Sequence, residues 1–210
     1  ILWLLSPIAA FELSKELPEK DPLKKIDKKH QNYIVDIANN TWNYFKDYLI
    51  KENNYLPPDN YQENRKNKVV NRTSSTNIGL AMVAVISAYD MGFENIYDSV
   101  KLLQNMLDTV TKLEKWNGHL YNWYDIKTLA PLEPRYVSTV DSGNFVGYLY
   151  VVKQFLKEHN RLYENVEDYI SIINRLIEQT DFSLLYDNSS RLFSIGFDVN
   201  ENKLTDSYYD

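Results

Sequence analysis

Two pairs of segments repeat apolar residues at the three-and-four spacing of an α-helix, with a short break inside each pair. The first pair covers residues 78–90 and 93–115, and Gly92 lies between its halves. The second pair begins near Phe145 and ends at Thr180. A stripe with this spacing has to be buried against another element. The two pairs therefore predict two αα-hairpins and a mainly α fold.

A third region of helical period precedes these hairpins. Residues 26–51 carry apolar side chains at helical spacing and predict one long amphipathic helix, which brings the count to about five. Ser75 or Thr76 is predicted to cap the helix that follows, and Asp141 or Ser142 the first helix of the second pair. Repeated helical hairpins with polar loops gathered at one end are typical of a helical toroid.

The connections between the helices are long and polar. Residues 53–77 break every period and contain Pro57 and Pro58, and a loop of this length inside a compact domain is usually functional or disordered. The tail from residue 183 alternates apolar and polar residues around turn signals at Asn188 and Asn200. It is predicted to form a β-hairpin.

The composition excludes several classes of protein. The net charge is −6 and acidic side chains are scattered among lysines, so no basic face for nucleic acid is predicted. The chain has no cysteine, which excludes disulfides and thiolate metal sites. Its three histidines, at 30, 119 and 159, show no i, i+4 pairing, so a metal site has little support. No cofactor is predicted.

The first residues, ILWLLSPIAAFEL, form an apolar run that is too short to cross a bilayer as a helix. The run is either the end of a membrane segment or a buried hydrophobic strap. Residues 14–25 are charged and carry two prolines, which predicts a linker. We therefore assign residues 1–25 to a membrane-proximal segment and linker, and residues 26–210 to the domain.

The segment from Leu120 to Asn144 has almost no helical period. It contains six aromatic or amide side chains, three carboxylates and an arginine. Such a segment is costly to bury, but it suits a saccharide, whose C–H faces stack on aromatic rings and whose hydroxyls need paired donors and acceptors. The segment therefore predicts a sugar-binding cleft.

Four blocks in order resemble the glycoamylase-like middle domain of cyclic β-1,2-glucan synthases. They are LPPDNYQE (56–63), NRTSSTNIGL (71–80), GHLYNWYDIKTLAPLEPRYVSTVDSGNFVGYL (118–149) and LTDSYYD (204–210). The chain departs from the family pattern in SSTN, where SPTN is common, and in SGNFVGYL, where SGNLAGHL is common. Both departures keep the polar atoms.

The resemblance implies an (α/α)6 toroid, of which about five helices form an N-terminal portion with small β-hairpins in its loops. It also implies retaining transglycosylation that closes β-1,2-glucan into a ring. The implied partners are a β-1,2-glucan chain and a glycosyltransferase domain of the same polypeptide, at the cytoplasmic face of the bacterial inner membrane. A partial toroid leaves inner-helix residues such as Leu80, Val83 and Ile86 uncovered, so self-association is expected.

Asp141 and Asp125 are the candidate catalytic carboxylates, although Asp141 also lies where a helix cap is needed. At least one member of the catalytic pair is expected outside this chain, which would leave the chain by itself weakly active or inactive. The other candidates lie in the matching blocks and are assigned to substrate binding: Asp59, Asn60, Arg72, Asn77, His119, Tyr121, Trp123, Arg135, Ser142, Asn144 and Tyr208.

Several candidates also have structural explanations. Asp59 and Asn60 follow two prolines and could form a turn. Arg72 could be a surface charge, but beside Thr73 and Asn77 at a helix start it can hold a carboxylate bidentately, which is the interpretation we favour. A lone histidine such as His119 is more often a structural hydrogen-bonding group. If residues 121–124 form a strand, Tyr121 and Trp123 share one face and Asn122 and Tyr124 the other, and spacing does not decide which face binds sugar.

Two other functions remain open. One is a glucan-binding or scaffolding module that holds a chain without cutting it. The other is an endo-acting β-glucan hydrolase that releases linear products.

Overall fold

The computed structural model describes residues 2–15, 26–160 and 165–209. The chain divides into two compact units, residues 1–38 and residues 39–210. All predicted site residues lie in the second unit. Most of the predicted linker, residues 16–25, lies outside the described residues.

The first unit contains helix α1 (Leu2–Ser14) and the beginning of α2 (Lys28–Tyr48). Leu5, Phe11 and Leu13 of α1 are exposed. The choice between the end of a membrane segment and a buried hydrophobic strap stays a prediction. Within the described part of the chain, no helix is both long enough and apolar enough to cross a membrane.

In the second unit, Trp42 and Phe45 of α2 and Leu49, which directly follows the helix, pack in the core. The Trp42 indole N–H donates to Glu94 Oε1 at 3.2 Å, and Lys46 Nζ lies 2.6 Å from the same oxygen. This shared carboxylate ties α2 to the loop before α4. The predicted long amphipathic helix is confirmed.

The two predicted helical hairpins are present. The first consists of α3 (Ser75–Asp90) and α4 (Ile96–Lys112), and the second of α5 (Thr139–Glu158) and α6 (Val166–Gln179). Helices α3 and α5 pack on each other more extensively than any other two described elements, and α4 also contacts α6. Thr76 in the first turn of α3 contacts Asn144 near the start of α5, so the N-terminal ends of the two helices lie at the same end of the unit.

Both helix starts differ from the prediction by one to four residues. Ser74, rather than Ser75 or Thr76, caps α3 by accepting the Asn77 N–H. Ser138, rather than Asp141 or Ser142, caps α5. In each case the serine hydroxyl reaches the backbone N–H three residues ahead, which leaves the later polar side chains free for other contacts.

In the described part of the chain, the connections hold nine short strands in small antiparallel sheets. The pairs are β1 (Arg72–Thr73) with β4 (Tyr124–Asp125), β2 (Lys115–Trp116) with β3 (His119–Leu120), and β6 (Tyr186–Asp187) with β7 (Leu192–Phe193). The three-stranded sheet has β8 (Gly196–Asp198) between β5 (Tyr136–Ser138) and β9 (Lys203–Leu204). The tail was predicted to form one hairpin, but it forms two, β6–β7 and β8–β9. Each of them turns at one of the two expected turn signals.

The core is continuous from the helices into these loops. It includes Ile78, Met82, Leu103, Leu149 and Ile173 from the helices and Leu56, Tyr124, Ile126 and Val137 from the connections. Tyr124 is fully buried, donates its hydroxyl to the Glu114 carbonyl oxygen at 2.6 Å and accepts the Tyr121 N–H at 2.8 Å. The long loops are therefore folded parts of the unit.

Candidate functional site

A carboxylate with four donors organises the loop before α3. Asp59 Oδ2 accepts Arg72 Nε at 3.1 Å, Arg72 Nη2 at 3.0 Å and Asn60 Nδ2 at 3.0 Å. Asn77 Nδ2 donates to Asp59 Oδ1 at 3.3 Å. The predicted grip of Arg72 on a carboxylate is present, with Asp59 as its partner. The Arg72 side chain remains 43% exposed and that of Asp59 17%.

Arg72 also stacks on an aromatic ring. Its guanidinium carbon lies 3.9 Å from the centroid of the Trp123 ring, which is cation–π geometry. The pairing of β1 with β4, with Arg72 opposite Asp125, brings the two segments together. Trp123 is half-buried, so part of its indole is accessible next to the guanidinium of Arg72.

The expected alternation along residues 121–124 is wrong. Tyr121 and Tyr124 are both buried, whereas Asn122 and Trp123 are partly exposed. The reason is that β4 begins only at Tyr124, so residues 121–123 do not follow the two-residue period of a strand. Trp123 is therefore the ring of this segment that a ligand can reach.

The start of α5 is the second part of the site. Asp141 lies in the first turn of α5, and Ser138 Oγ accepts its backbone N–H at 3.2 Å. The Asp141 carboxylate, half-buried, has no hydrogen bond or ion pair among the described residues. Asn144 Nδ2 donates to Thr76 Oγ1 at 3.2 Å, which links this turn to the start of α3. Asn77, a neighbour of Thr76, holds Asp59, so the two parts of the site adjoin.

Asp125, the other candidate carboxylate, accepts hydrogen bonds within its own turn. Its Oδ1 accepts the backbone N–H groups of Lys127 and Thr128, each at 2.8 Å, and the Thr128 hydroxyl at 3.2 Å. Partial burial acts to raise the pKa of Asp125, but these hydrogen bonds outweigh it and lower the pKa below its usual value. Such a carboxylate is a poor proton donor, so Asp125 is unsuited to the role of catalytic acid.

His119 and Ser142, both predicted to bind substrate, are buried and contact each other. His119 is 1% exposed and Ser142 is 3% exposed. His119 Nδ1 lies 2.9 Å from Ser142 Oγ, and His119 Nε2 lies 3.0 Å from the Asp181 carbonyl oxygen. Burial lowers the pKa of His119, although the contact with Asp181 acts in the opposite direction. Direct contact of either side chain with a sugar is therefore excluded in this conformation.

Tyr121 and Arg135 form a neighbouring structural cluster. Tyr121 is 3% exposed, and its hydroxyl lies 3.4 Å from Glu114 Oε1. Arg135 Nη1 donates to the same oxygen at 2.7 Å and also pairs with Glu133. The buried Tyr121 cannot be a sugar platform. Arg135 is half-buried, and its charge is already paired on two sides.

Tyr208, the last predicted ligand, is exposed and belongs to the tail. Its hydroxyl donates to Asp187 Oδ2 at 2.9 Å. The hydroxyl and backbone N–H of Ser189 also bind Asp187 at Oδ1, and together with Tyr208 they hold the pKa of Asp187 far below its usual range. No described contact joins Tyr208 to Arg72, Trp123 or Asp141.

Two residues of the site were not predicted. Thr76 joins the two helix starts, and nothing local in the sequence signals a contact 68 residues away. Ser138 did have a signal, because Ser138 and Asp141 match the pattern of a serine or threonine followed three residues later by an acid.

Among the described residues, no group of three or more His, Cys, Asp or Glu side chains could hold a metal ion.

Comparison with known proteins decides the relationship. No protein-family model matches the chain. The cyclic β-(1,2)-glucan synthase NdvB of Rhizobium meliloti (strain 1021) is 37% identical over 158 residues, which is 75% of this chain and 6% of the synthase. The resemblance to cyclic β-1,2-glucan synthases is confirmed. The chain thus corresponds to a small part of that relative.

Solved structures identify the fold. A glucoamylase-like protein from Bacteroides fragilis NCTC 9343 superposes with a TM-score of 0.70 at 14% identity, over 89% of this chain and 44% of that one. An endo-β-1,2-glucanase from Chitinophaga pinensis, solved with sophorotriose and glucose, gives a TM-score of 0.69 at 18% identity, over 81% and 41%. The predicted fold class, paired helices of the glucoamylase-like (α/α)6 type with small β-hairpins, is confirmed.

Proposed function

We propose that this chain is part of a carbohydrate-active domain that binds β-1,2-glucan. The observation that carries the proposal is the Asp59–Arg72–Trp123 arrangement beside the start of α5. It combines a reachable indole, a charged donor group and amides, which are the groups that sugar faces and hydroxyls require. The β-1,2 linkage is suggested by the names of the synthase relative and the glucanase of the same fold.

Within this surface, Arg72 still has donor capacity. Its Nε and Nη2 bind Asp59, while Nη1 is the remaining guanidinium nitrogen of a side chain that is 43% exposed. We assign to Nη1 a contact with a sugar hydroxyl and to Trp123 the stacking of a glucosyl ring. Asn60 and Asn77 fix the carboxylate that holds Arg72, so all five side chains act as one unit.

The reaction proposed for the longer polypeptide is retaining transglycosylation. Cleavage of a glycosidic bond uses two carboxyl groups, about 5–5.5 Å apart when the anomeric configuration is retained. We propose Asp141 as a carboxylate that faces substrate, because it has no hydrogen bond or ion pair among the described residues. Tyr209 is close enough to interact with it electrostatically. Since Asp125 is engaged in its turn, the second catalytic carboxylate is proposed to come from elsewhere in the longer polypeptide.

Calorimetric titration of linear β-1,2-glucooligosaccharides into the 210-residue chain tests the binding proposal. Laminari- and cello-oligosaccharides serve as linkage controls. We expect binding selective for the β-1,2 linkage, and Trp123→Ala should weaken it on the order of tenfold or more because stacking is lost. Tyr97→Ala, an exposed ring on α4, is the matched control and should bind normally. Equal affinity of the Trp123 and Tyr97 variants would contradict the site.

Product analysis distinguishes the three functions. After incubation with linear β-1,2-glucan, mass spectrometry distinguishes cyclic from linear products. A cyclic product is one water lighter than the linear glucan with the same number of glucosyl units. The 210-residue chain is expected to bind without turnover, whereas the longer polypeptide should release cyclic products. Turnover by the shorter chain would overturn the proposed external carboxylate. Linear products from the longer protein would favour a hydrolase, and binding without any products would favour a scaffold.

A further inference from the structure

A buried chain of hydrogen bonds connects the first turn of α5 with the segment after α6. Its centre is His119, whose Nε2 lies 3.0 Å from the Asp181 carbonyl oxygen and whose Nδ1 lies 2.9 Å from Ser142 Oγ. A carbonyl oxygen can only accept, so Nε2 carries the hydrogen of the neutral imidazole. Nδ1 then accepts from the Ser142 hydroxyl. The geometry thus selects one tautomer, and every polar atom of the imidazole is used.

The ring is also fixed by its packing. His119 meets Phe182 edge-on, with centroids 5.2 Å apart, and Trp116 lies 6.0 Å away on a tilted plane. Trp116 itself stacks on Phe197 at 4.3 Å. Burial acts to lower the pKa of His119, which agrees with a neutral ring. His119 is therefore a rigid acceptor for Ser142.

Ser142 directly follows Asp141, so whatever holds Ser142 also limits where the Asp141 carboxylate can lie. The same turn is held by Ser138, which caps Asp141, and by Thr139, whose N–H and hydroxyl donate to the carbonyl oxygens of Ile195 and Ser194 at 3.0 and 2.7 Å. The backbone of the turn is therefore fixed from several sides. The Asp141 carboxylate, by contrast, is left available for a ligand.

We propose that His119 is a positioning residue that holds the Asp141 carboxylate in place for substrate through its hydrogen bond with Ser142. This inference rests on the proposed function, because it assumes that Asp141 faces a glucan. His119 does not touch the sugar. Its effect depends on the Nδ1 side of the ring, whereas a merely structural role would depend equally on both nitrogens. That difference makes the inference testable.

Two substitutions separate the nitrogens. His119→Asn places an amide near the position of Nδ1 and can keep the contact with Ser142, whereas His119→Gln places one near Nε2 and keeps only the contact with Asp181. Ser142→Ala removes the same contact from the other side with a smaller change in volume. We expect Ser142→Ala and His119→Gln to weaken β-1,2-glucooligosaccharide binding on the order of tenfold, and His119→Asn much less.

A second measurement does not depend on substrate. The ¹³C chemical shift of the Asp141 carboxyl carbon, observed at neutral pH with labelled aspartate, should change in Ser142→Ala and in His119→Gln and stay near wild type in His119→Asn. An unchanged chemical shift in all three variants would overturn the inference, as would equal effects of the Asn and Gln substitutions. If wild type binds no glucan but the chemical shift responds as expected, the proposed function fails while the positioning of Asp141 stands.

Discussion

The guanidinium carbon of Arg72 lies 3.9 Å from the centroid of the Trp123 ring, although the two residues belong to loops far apart in the chain. Asp59 fixes the same guanidinium through Nε and Nη2, so Arg72 is oriented by a carboxylate and packed on an indole at once. An arginine held in this way loses little side-chain freedom when a ligand arrives. The site is therefore largely organised before binding.

Replacing Arg72 with lysine should weaken this site although the charge is kept. Lysine has neither the planar face that stacks on Trp123 nor the fork that binds Asp59. We expect about 0.5–1 kcal/mol lower unfolding free energy, because the contact is partly exposed, together with weaker glucan binding. Urea denaturation and calorimetry measure the two effects. Arg175→Lys, an exposed position on α6, is the control, and an equal loss there would contradict the assignment.

The two polar residues at the start of α5 should respond differently to substitution. Ser138→Ala removes the N-cap and should lower the unfolding free energy by about 0.5–2 kcal/mol. Asp141→Asn removes a charge near the helix N-terminus and should cost about 0.3–1 kcal/mol while reducing glucan binding. Denaturation curves of both variants provide the check. A larger loss of stability for Asp141→Asn than for Ser138→Ala would show that Asp141 has a structural role.

Gly118 should be more sensitive to alanine than Gly92, although both have positive φ, of +83° and +75°. A Cβ at Gly118 would collide with the backbone of Gln179 and Thr180, whereas one at Gly92 would meet nothing within 4 Å. We expect Gly92→Ala to cost about 1 kcal/mol from backbone strain alone and Gly118→Ala about 2–4 kcal/mol. Chemical denaturation measures the difference, and equal costs would mean that the close approach is relaxed.

Lys115 should make the stability depend on pH in a mildly alkaline window. Burial lowers the pKa of Lys115 from 10.5 to about 8 in the folded chain. Between these values the unfolded chain binds more protons at this site than the folded chain does, so its contribution to the unfolding free energy rises with pH. Tyrosine ionisation opposes this rise in the unfolding free energy only near pH 10 and above.

The measurement is urea denaturation at several pH values from about 7.5 to 9.5. Wild type should gain stability across this range, and Lys115→Met should show a flatter profile because the titrating group is gone. Lys101, exposed on α4, provides the matched control Lys101→Met, which should keep the wild-type slope. Parallel profiles for wild type and Lys115→Met would contradict the lowered pKa.

The exposed faces of α3 and α5 should cause the chain to self-associate. Leu80 on α3 is 45% exposed, and Val140, Tyr150 and Val151 on α5 are 46%, 54% and 45% exposed. Exposed apolar surface promotes association. We expect sedimentation velocity to show species larger than a monomer at micromolar concentration. The double variant Leu80→Glu, Tyr150→Glu should shift the distribution to monomer, and a monomeric wild type would contradict the prediction.

The helices could be predicted from the sequence because the pattern that indicates a helix lies within the segment that forms it. The apolar spacing in α2, α4 and α6 repeats within each segment, so the pattern indicates both the element and the face it buries. The expectation that inner-helix residues of α3 are uncovered held only in part. Leu80 is 45% exposed as expected, whereas Ile86 is only 8% exposed because tertiary packing covers it.

The candidate site could be predicted only in part from the sequence. The sequence by itself determined the helical hairpins, the residue types of a sugar-binding surface and the relationship to the synthases, since these depend on composition, period and motif. Only the tertiary structure decided that Asp59 is the partner of Arg72, that Trp123 rather than Tyr121 is reachable, and that His119 and Ser142 are buried together. These outcomes depend on contacts between loops distant in the chain, and a hydrogen bond or stacked ring across such a distance leaves no periodic signal in the sequence.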